Sequence, residues 1–136
     1  FSDPSHVSGA CYILEKVGLI HQSEKLAAEI SHGERRLLEL ALAMATNPIL
    51  LLLDEPMAGA GAEESNHITS IIKAFKSQHA TLLIEHDMDA VFKLADRITV
   101  LVEGEAITTG TPDEIINNSA VRSAYLGDGD EHADSG

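Results

Sequence analysis

With 136 residues, 44% of them apolar and 23% charged, the chain has the length and composition of one globular domain. A formal net charge of −13 disfavours a nucleic-acid backbone or an anionic membrane surface as partner, since both recruit basic residues. No apolar run reaches membrane-spanning length, Phe1 to Ala10 does not read as a secretory signal, and a single cysteine, Cys11, allows no intramolecular disulfide.

In chain order, Val7 to Val17 is an apolar-rich run that predicts a helix stopped by Gly18, with Cys11 read as a small buried side chain on it. Ser23 to Glu29 reads as a second short helix. Ser31-His32-Gly33-Glu34 has the spacing of a capping box and opens a helix from about Glu34 to Ala45. That helix turns apolar all round from Leu40 to Ala45, which predicts a far end buried on every side. After the Asn47-Pro48 break, Ile49 to Leu53 is a continuous apolar run ending at Asp54, the pattern of a parallel strand covered on both faces. Met57 to Ala62 is a glycine-containing loop, and Ile68, Ile71, Ile72 and Phe75 mark the apolar face of a helix from Glu63 to about Gln78. Thr81 to Ile84 is a second strand, and a strand–helix–strand run of this kind forms a parallel crossover. Met88, Val91, Phe92 and Ala95 repeat the helical spacing, Ile98 to Val102 is a third strand, and Ala106 to Thr109 returns after a turn at Glu103-Gly104-Glu105. Thr111-Pro112 opens a last helix, and residues 127–136 read as a disordered acidic tail.

Three places carry chemistry. Asp54 and Glu55 put two adjacent carboxylates at the carboxyl end of a strand, where open α/β sheets bind ligands; one can ligate Mg²⁺ and the other orient water. Taken alone, such a pair is equally a solvated strand end. The Ser31 to Glu34 turn offers a hydroxyl, a glycine and free helix N–H groups to a phosphate oxygen, although most capping boxes bind nothing. His86, between Glu85 and Asp87, would be a solvated loop residue but for its position: parallel neighbouring strands place it at the same sheet edge as Glu55.

A serine–glycine turn, a helix, an apolar strand ending in Asp54-Glu55-Pro56, a second helix and a strand ending at His86 together resemble the ABC-transporter ATPase family. The resemblance runs from about Ser31 to Thr111 and extends over the chain up to Gly127. Ile30-Ser31-His32-Gly33-Glu34 is similar to the family's signature motif, Leu50 to Asp54 to its Walker B strand, and Met57-Ala58-Gly59-Ala60-Gly61 to its D-loop. The resemblance implies a partial P-loop NTPase fold of class α/β, a mostly parallel sheet with flanking helices and a C-terminal antiparallel hairpin. Residues 1–47 would be the remnant of a helical subdomain, and residues 48–126 the C-terminal part of a RecA-like core. It also implies roles. Asp54 would hold Mg²⁺, Glu55 would orient the attacking water and His86 would contact the γ-phosphate. Ser31, His32, Gly33 and Glu34 would meet the nucleotide of a second ATPase subunit, with Gly59, Ala60 and Gly61 in the D-loop. Within the family, Ser31 to Arg36, Asp54 to Gly59, Glu85 to Asp89 and Ala124 to Gly127 resemble importers of branched-chain amino acids; urea and amide importers look similar.

The departures matter as much. No Gly-x-x-x-x-Gly-Lys-Ser/Thr phosphate loop is present, the Q-loop glutamine is missing, and Gly61 stands where Asp or Asn is usual. The expectation is a C-terminal piece of a longer subunit, truncated at or just before Phe1. Alone it would bind no ATP or Mg²⁺ tightly and have no activity. The parent would sit at the cytoplasmic face of the membrane through permease subunits. The C-terminal lobe of a chromosome-maintenance or repair ATPase fits less well, because nothing before Ser31 shows sustained heptads. A stand-alone module without catalysis is the third reading. In this family the phosphate-loop strand lies between the strand ending at His86 and that starting near Ile98. Its loss predicts either a homo-oligomer or direct pairing of those two strands.

Overall fold

The computed structural model describes residues 3–126, so the expected tail at 127–136 lies outside the described residues. Helix α1 (Pro4–Lys16) starts earlier than its apolar run because Asp3 caps it: Asp3 Oδ1 accepts the Ser5 N–H at 2.9 Å, and Pro4 fills the first position. It ends at Val17, and Gly18 follows at φ 77°, a left-handed turn suited to glycine. Cys11 is half-buried rather than buried, as α1 contributes no fully buried residue. The helix expected at Ser23 to Glu29 is absent. A 3₁₀ turn at Ile20–Gln22 leads into separate turns, with Lys25 N–H on Gln22 C=O and Glu29 N–H on Leu26 C=O. Seven residues are too few to repay helix nucleation when Leu26, the apolar anchor, remains exposed.

Helix α2 (His32–Ala45) begins with the expected box: Ser31 Oγ accepts the Glu34 N–H at 3.3 Å, and Glu34 Oε2 accepts the Ser31 N–H at 2.8 Å. Leu37, Leu40, Ala41 and Met44 form its buried stripe at helical spacing. Its far end is not buried all round, since Leu42 is 63% exposed.

Strand β1 (Leu50–Asp54) and strand β2 (Ala80–Ile84) pair in parallel, in register from Leu50 with Ala80 to Asp54 with Ile84. Helix α3 (Ala62–Lys76) connects them, with Glu63 and Glu64 in its first turn and Lys73 and Lys76 in its last, each complementing the helix dipole. Ile68, Ile71 and Ile72 bury its apolar face as its spacing predicts. The leucine run of β1 is covered on one face only. Leu51 is buried, whereas Leu50, Leu52, Leu82 and Ile84 present an open apolar face. An uninterrupted apolar run states what the strand tolerates on each side, not whether this chain supplies both covers.

Helix α4 (Met88–Leu94) follows, capped by Asp87 Oδ1 accepting the Ala90 N–H. Strand β3 (Ile98–Val102) and strand β4 (Glu105–Gly110) form the expected antiparallel hairpin, joined through Glu103 and Gly104 at φ 50° and 84°. Two positive φ values in a two-residue loop match the right-handed twist of the flanking strands. Helix α5 (Pro112–Ile116) repeats the capping box with Thr111 and Glu114, and a short helix α6 (Ser119–Val121) runs into a π-helical turn at Arg122–Leu126. Ile98, Val100, Ile115 and Val121 form the core here, with Val91, Phe92, Ala95 and Val102 packed against it. The class is α/β with a parallel pair and an antiparallel hairpin, as expected. The described strands form two separate sheets, however, so β2 does not take up direct pairing with β3. Two compact units emerge, Phe1–Ala90 and a second from Val91 onward. This division follows internal contacts and differs in kind from the boundary read at 47/48.

Candidate functional site

The candidate site residues lie in the first unit, as two groups with a loop between them; of the stretch Ala124 to Gly127, which carried part of the resemblance, Gly127 lies outside the described residues. The first group stands at the carboxyl ends of β1 and β2. Glu55 continues the ladder, its N–H bonding the Ile84 carbonyl at 2.8 Å, and then turns at φ 45°. A left-handed conformation at a non-glycine residue costs energy and re-aims the side chain off the end of the strand. The parallel register then puts His86 beside it, with Nδ1 3.3 Å from Glu55 Oε1. Both side chains are more than half exposed, so the pair contributes orientation rather than much stability. Asp54 ends β1 and is exposed as well.

Glu85, which the sequence reading left without a role, organises this corner. Its side chain is 1% exposed, and its carboxylate accepts three backbone N–H groups: Met57 at 2.9 Å, His86 at 2.9 Å and Asp87 at 3.2 Å. One buried carboxylate thereby fixes the loop after β1 and the loop after β2 together. Buried charge persists only when satisfied in this way. The acidic neighbours of His86 were legible in sequence, but which of them turns inward was not.

The second group is the turn at the start of α2. Ser31, Gly33 and Glu34 act as one unit: the box bonds hold the turn, and Glu34 Oε1 also accepts from the Gln22 side-chain amide. The Ser31 backbone N–H leads the contacts that hold the Glu34 carboxyl below the usual glutamate range, followed by the Ser31 hydroxyl and, more weakly, Gln22. Gln22 carries no motif, and only tertiary contact reveals it. Gly33 sits close to the Glu64 carboxylate: a Cβ there would lie 2.9 Å from Glu64 Oε1, a contact that a shift of the flexible Glu64 side chain would relieve. His32, beside it, is exposed.

Between the groups runs the loop from Met57 to Gly61. Met57 is buried, Ala58 N–H bonds Glu55 C=O at 3.0 Å, Gly59 turns at φ 71°, and Ala60 N–H bonds Met57 C=O at 3.0 Å. Gly61 is the N-cap of α3 and offers no side-chain acceptor there. Arg36 of α2 reaches this loop, donating to the Ala58 carbonyl at 2.6 Å and pairing with Glu64 at 3.3 Å.

Among the described residues no set of three or more His, Cys, Asp or Glu side chains is arranged to hold a metal ion. The single exposed carboxylate of Asp54 fits a cation such as Mg²⁺, which keeps most of its water or takes phosphate oxygens in place of protein ligands. Among the described residues, no helix is long and apolar enough to cross a membrane.

Residues 7–58 match the family described as "ABC transporter", and residues 107–131 match "Branched-chain amino acid ATP-binding cassette transporter". The chain is 42% identical over 117 residues to the high-affinity branched-chain amino acid transport ATP-binding protein LivG of Salmonella typhimurium, spanning 85% of this chain and 46% of that protein. It is 39% identical over 121 residues to the corresponding BraF protein of Pseudomonas aeruginosa, spanning 88% and 48%. The chain thus spans about half the length of the curated relatives it matches. Among solved structures it resembles the ADP conformation of MJ1267, an ATP-binding cassette of an ABC transporter. The TM-score is 0.78 at 28% identity, covering 94% of this chain and 52% of that one.

Proposed function

We propose that this chain, part of an ABC transporter ATP-binding domain, is the C-terminal part of the ATP-hydrolysing subunit of a branched-chain amino acid importer. The observation that carries the catalytic half of this reading is the 3.3 Å approach of His86 to Glu55 at the common end of β1 and β2. There Glu55 accepts a proton from, and orients, the attacking water, while His86 holds the Glu55 carboxylate and faces the γ-phosphate. Asp54 supplies the protein ligand for Mg²⁺, whose charge screens the phosphate oxygens when bound. Ser31 and Gly33, at a helix N-terminus, present a hydroxyl and close backbone approach to the nucleotide held by a second ATPase subunit. The branched-chain assignment is supported by the likeness to LivG and BraF and by the match over residues 107–131.

Permease subunits would hold the parent at the cytoplasmic face of the membrane. The chain by itself lacks a phosphate loop, so calorimetry with millimolar Mg-ATP is expected to show no saturable binding. Its open face of Leu50, Leu52, Leu82 and Ile84 supports self-association when it is alone. Sedimentation at micromolar concentration checks this, and a clean monomer would reject it. Cells lacking the parent gene decide the substrate: uptake of labelled leucine is expected to fall and that of urea to persist. The opposite result moves the assignment to a urea importer.

A further inference from the structure

Arg36 lies one turn into α2, behind the Ser31 to Glu34 turn, and its guanidinium makes two contacts at once. One nitrogen, Nη2, donates to the Ala58 carbonyl at 2.6 Å, in the loop that leaves Glu55. The other, Nη1, pairs with Glu64 Oε1 at 3.3 Å, and that same oxygen lies 2.9 Å from where a Cβ on Gly33 would be. Both Arg36 and Glu64 are about two-thirds buried, at 31% exposure each, so the contact is better shielded than a surface ion pair. The loop it grips starts from a left-handed turn at Glu55, a conformation that in a non-glycine residue persists only when its surroundings hold it. A planar guanidinium can serve a carbonyl and a carboxylate in fixed geometry; a lysine ammonium is a point charge and cannot reproduce that fork.

We infer that Arg36 is a positioning residue that locks the Gly33 turn to the loop behind Glu55. This rests on the proposed function, in which Ser31 and Gly33 serve the partner's nucleotide while Glu55 serves the chain's own. Arg36 therefore mechanically links the two nucleotide sites of an assembled pair, with Glu64 as the second jaw of the clamp. The link is a contiguous set of packed and hydrogen-bonded groups, the kind of connection through which coupling between sites can travel.

The test uses the full-length parent subunit carrying Arg36→Lys, with Arg36→Ala and Glu64→Gln beside it. Turnover, its dependence on ATP concentration, equilibrium ATP binding and thermal stability are measured on each. Arg36→Lys is expected to lower kcat on the order of tenfold, the scale of one lost charged hydrogen bond. Its ATP affinity should stay within about twofold and its melting temperature near wild type, while its Hill coefficient falls toward one. Glu64→Gln, which keeps the Ala58 contact, should fall between wild type and Arg36→Lys. A merely structural role would lower kcat only in step with the folded fraction, and that result overturns the inference. So does a normal kcat and Hill coefficient in Arg36→Lys, or a wild-type Hill coefficient of one. A wild-type subunit without ATPase activity overturns the proposed function and the inference with it; a hydrolysing wild type with unaffected variants overturns the inference alone.

Discussion

The sheet of the first unit and the sheet of the second are finished differently on their outer faces. On β1 and β2 the outer residues are Leu50, Leu52, Leu82 and Ile84, each at least 50% exposed. On β3 and β4 the outer face mixes Leu101 with Thr99 and Thr109, whose hydroxyls bond to each other at 2.9 Å, while the inner face buries Ile98 and Val100 with Ile115 and Val121. Antiparallel hairpins can leave one side to water, whereas parallel strands are ordinarily covered on both. The second unit therefore carries its own completed core. The first carries the proposed catalytic residues on a sheet whose outer apolar face is bare among the described residues.

The comparison is broken or sharpened by substitution. The largest effect is expected in the first unit of the full-length parent. There Glu55→Gln should slow ATP hydrolysis on the order of a hundredfold or more and trap ATP in a closed pair, as loss of a general base does. Near-normal turnover would remove Glu55 from that role. In the isolated chain the order reverses. Ile115→Ala empties a site with 1% exposure and should cost about 2–5 kcal/mol by chemical denaturation of the second unit. Leu52→Ala, on the open face, should stay within about 0.5 kcal/mol when the chain is diluted until it sediments as a monomer. Equal losses at the two positions would mean that the face of β1 and β2 is covered in solution. Ser31→Ala, which removes the cap of α2, should cost about 1 kcal/mol, a loss read by the same denaturation experiment. A neutral outcome would show that the turn is held by Gln22 and Glu34 without the serine.

The smallest effect is one the two units share. The Ser31 N–H in the first and the Thr111 N–H in the second lead the contacts that hold Glu34 and Glu114 below the ordinary glutamate value of 4.5. A depressed folded-state value means that each carboxylate stabilises its helix start fully above 4.5, and that this is lost as pH falls through the folded value. Side-chain NMR titration should find both glutamates low. A Glu114 titrating at the ordinary value beside a low Glu34 would end the symmetry.

Much of this was open to reading in the residues alone. Periodicity and punctuation located α2, β1, α3, β2 and the hairpin, because capping boxes, proline breaks and apolar spacing act locally. The two carboxylates and His86 were placed on one edge by a topological argument, since parallel strands joined by a helix must end on the same side. Other features depended on partners far along the chain. Leu26 stays exposed and buries too little to consolidate a helix, so Ser23 to Glu29 stayed as turns. Leu42 and Leu52 are apolar and exposed, because a side chain's hydrophobicity does not say whether a neighbour exists to cover it. Glu85, Gln22 and Arg36 are ordinary polar residues in the sequence. Their roles at Met57, Glu34 and Ala58 span 28, 12 and 22 positions. The sequence by itself determined most of the elements and the order of the chemical groups, through short-range sterics and hydrogen bonding. Only the tertiary structure decided which carboxylate turns inward, which strand face stays bare and which arginine ties the two groups together, because those outcomes rest on contacts between distant segments.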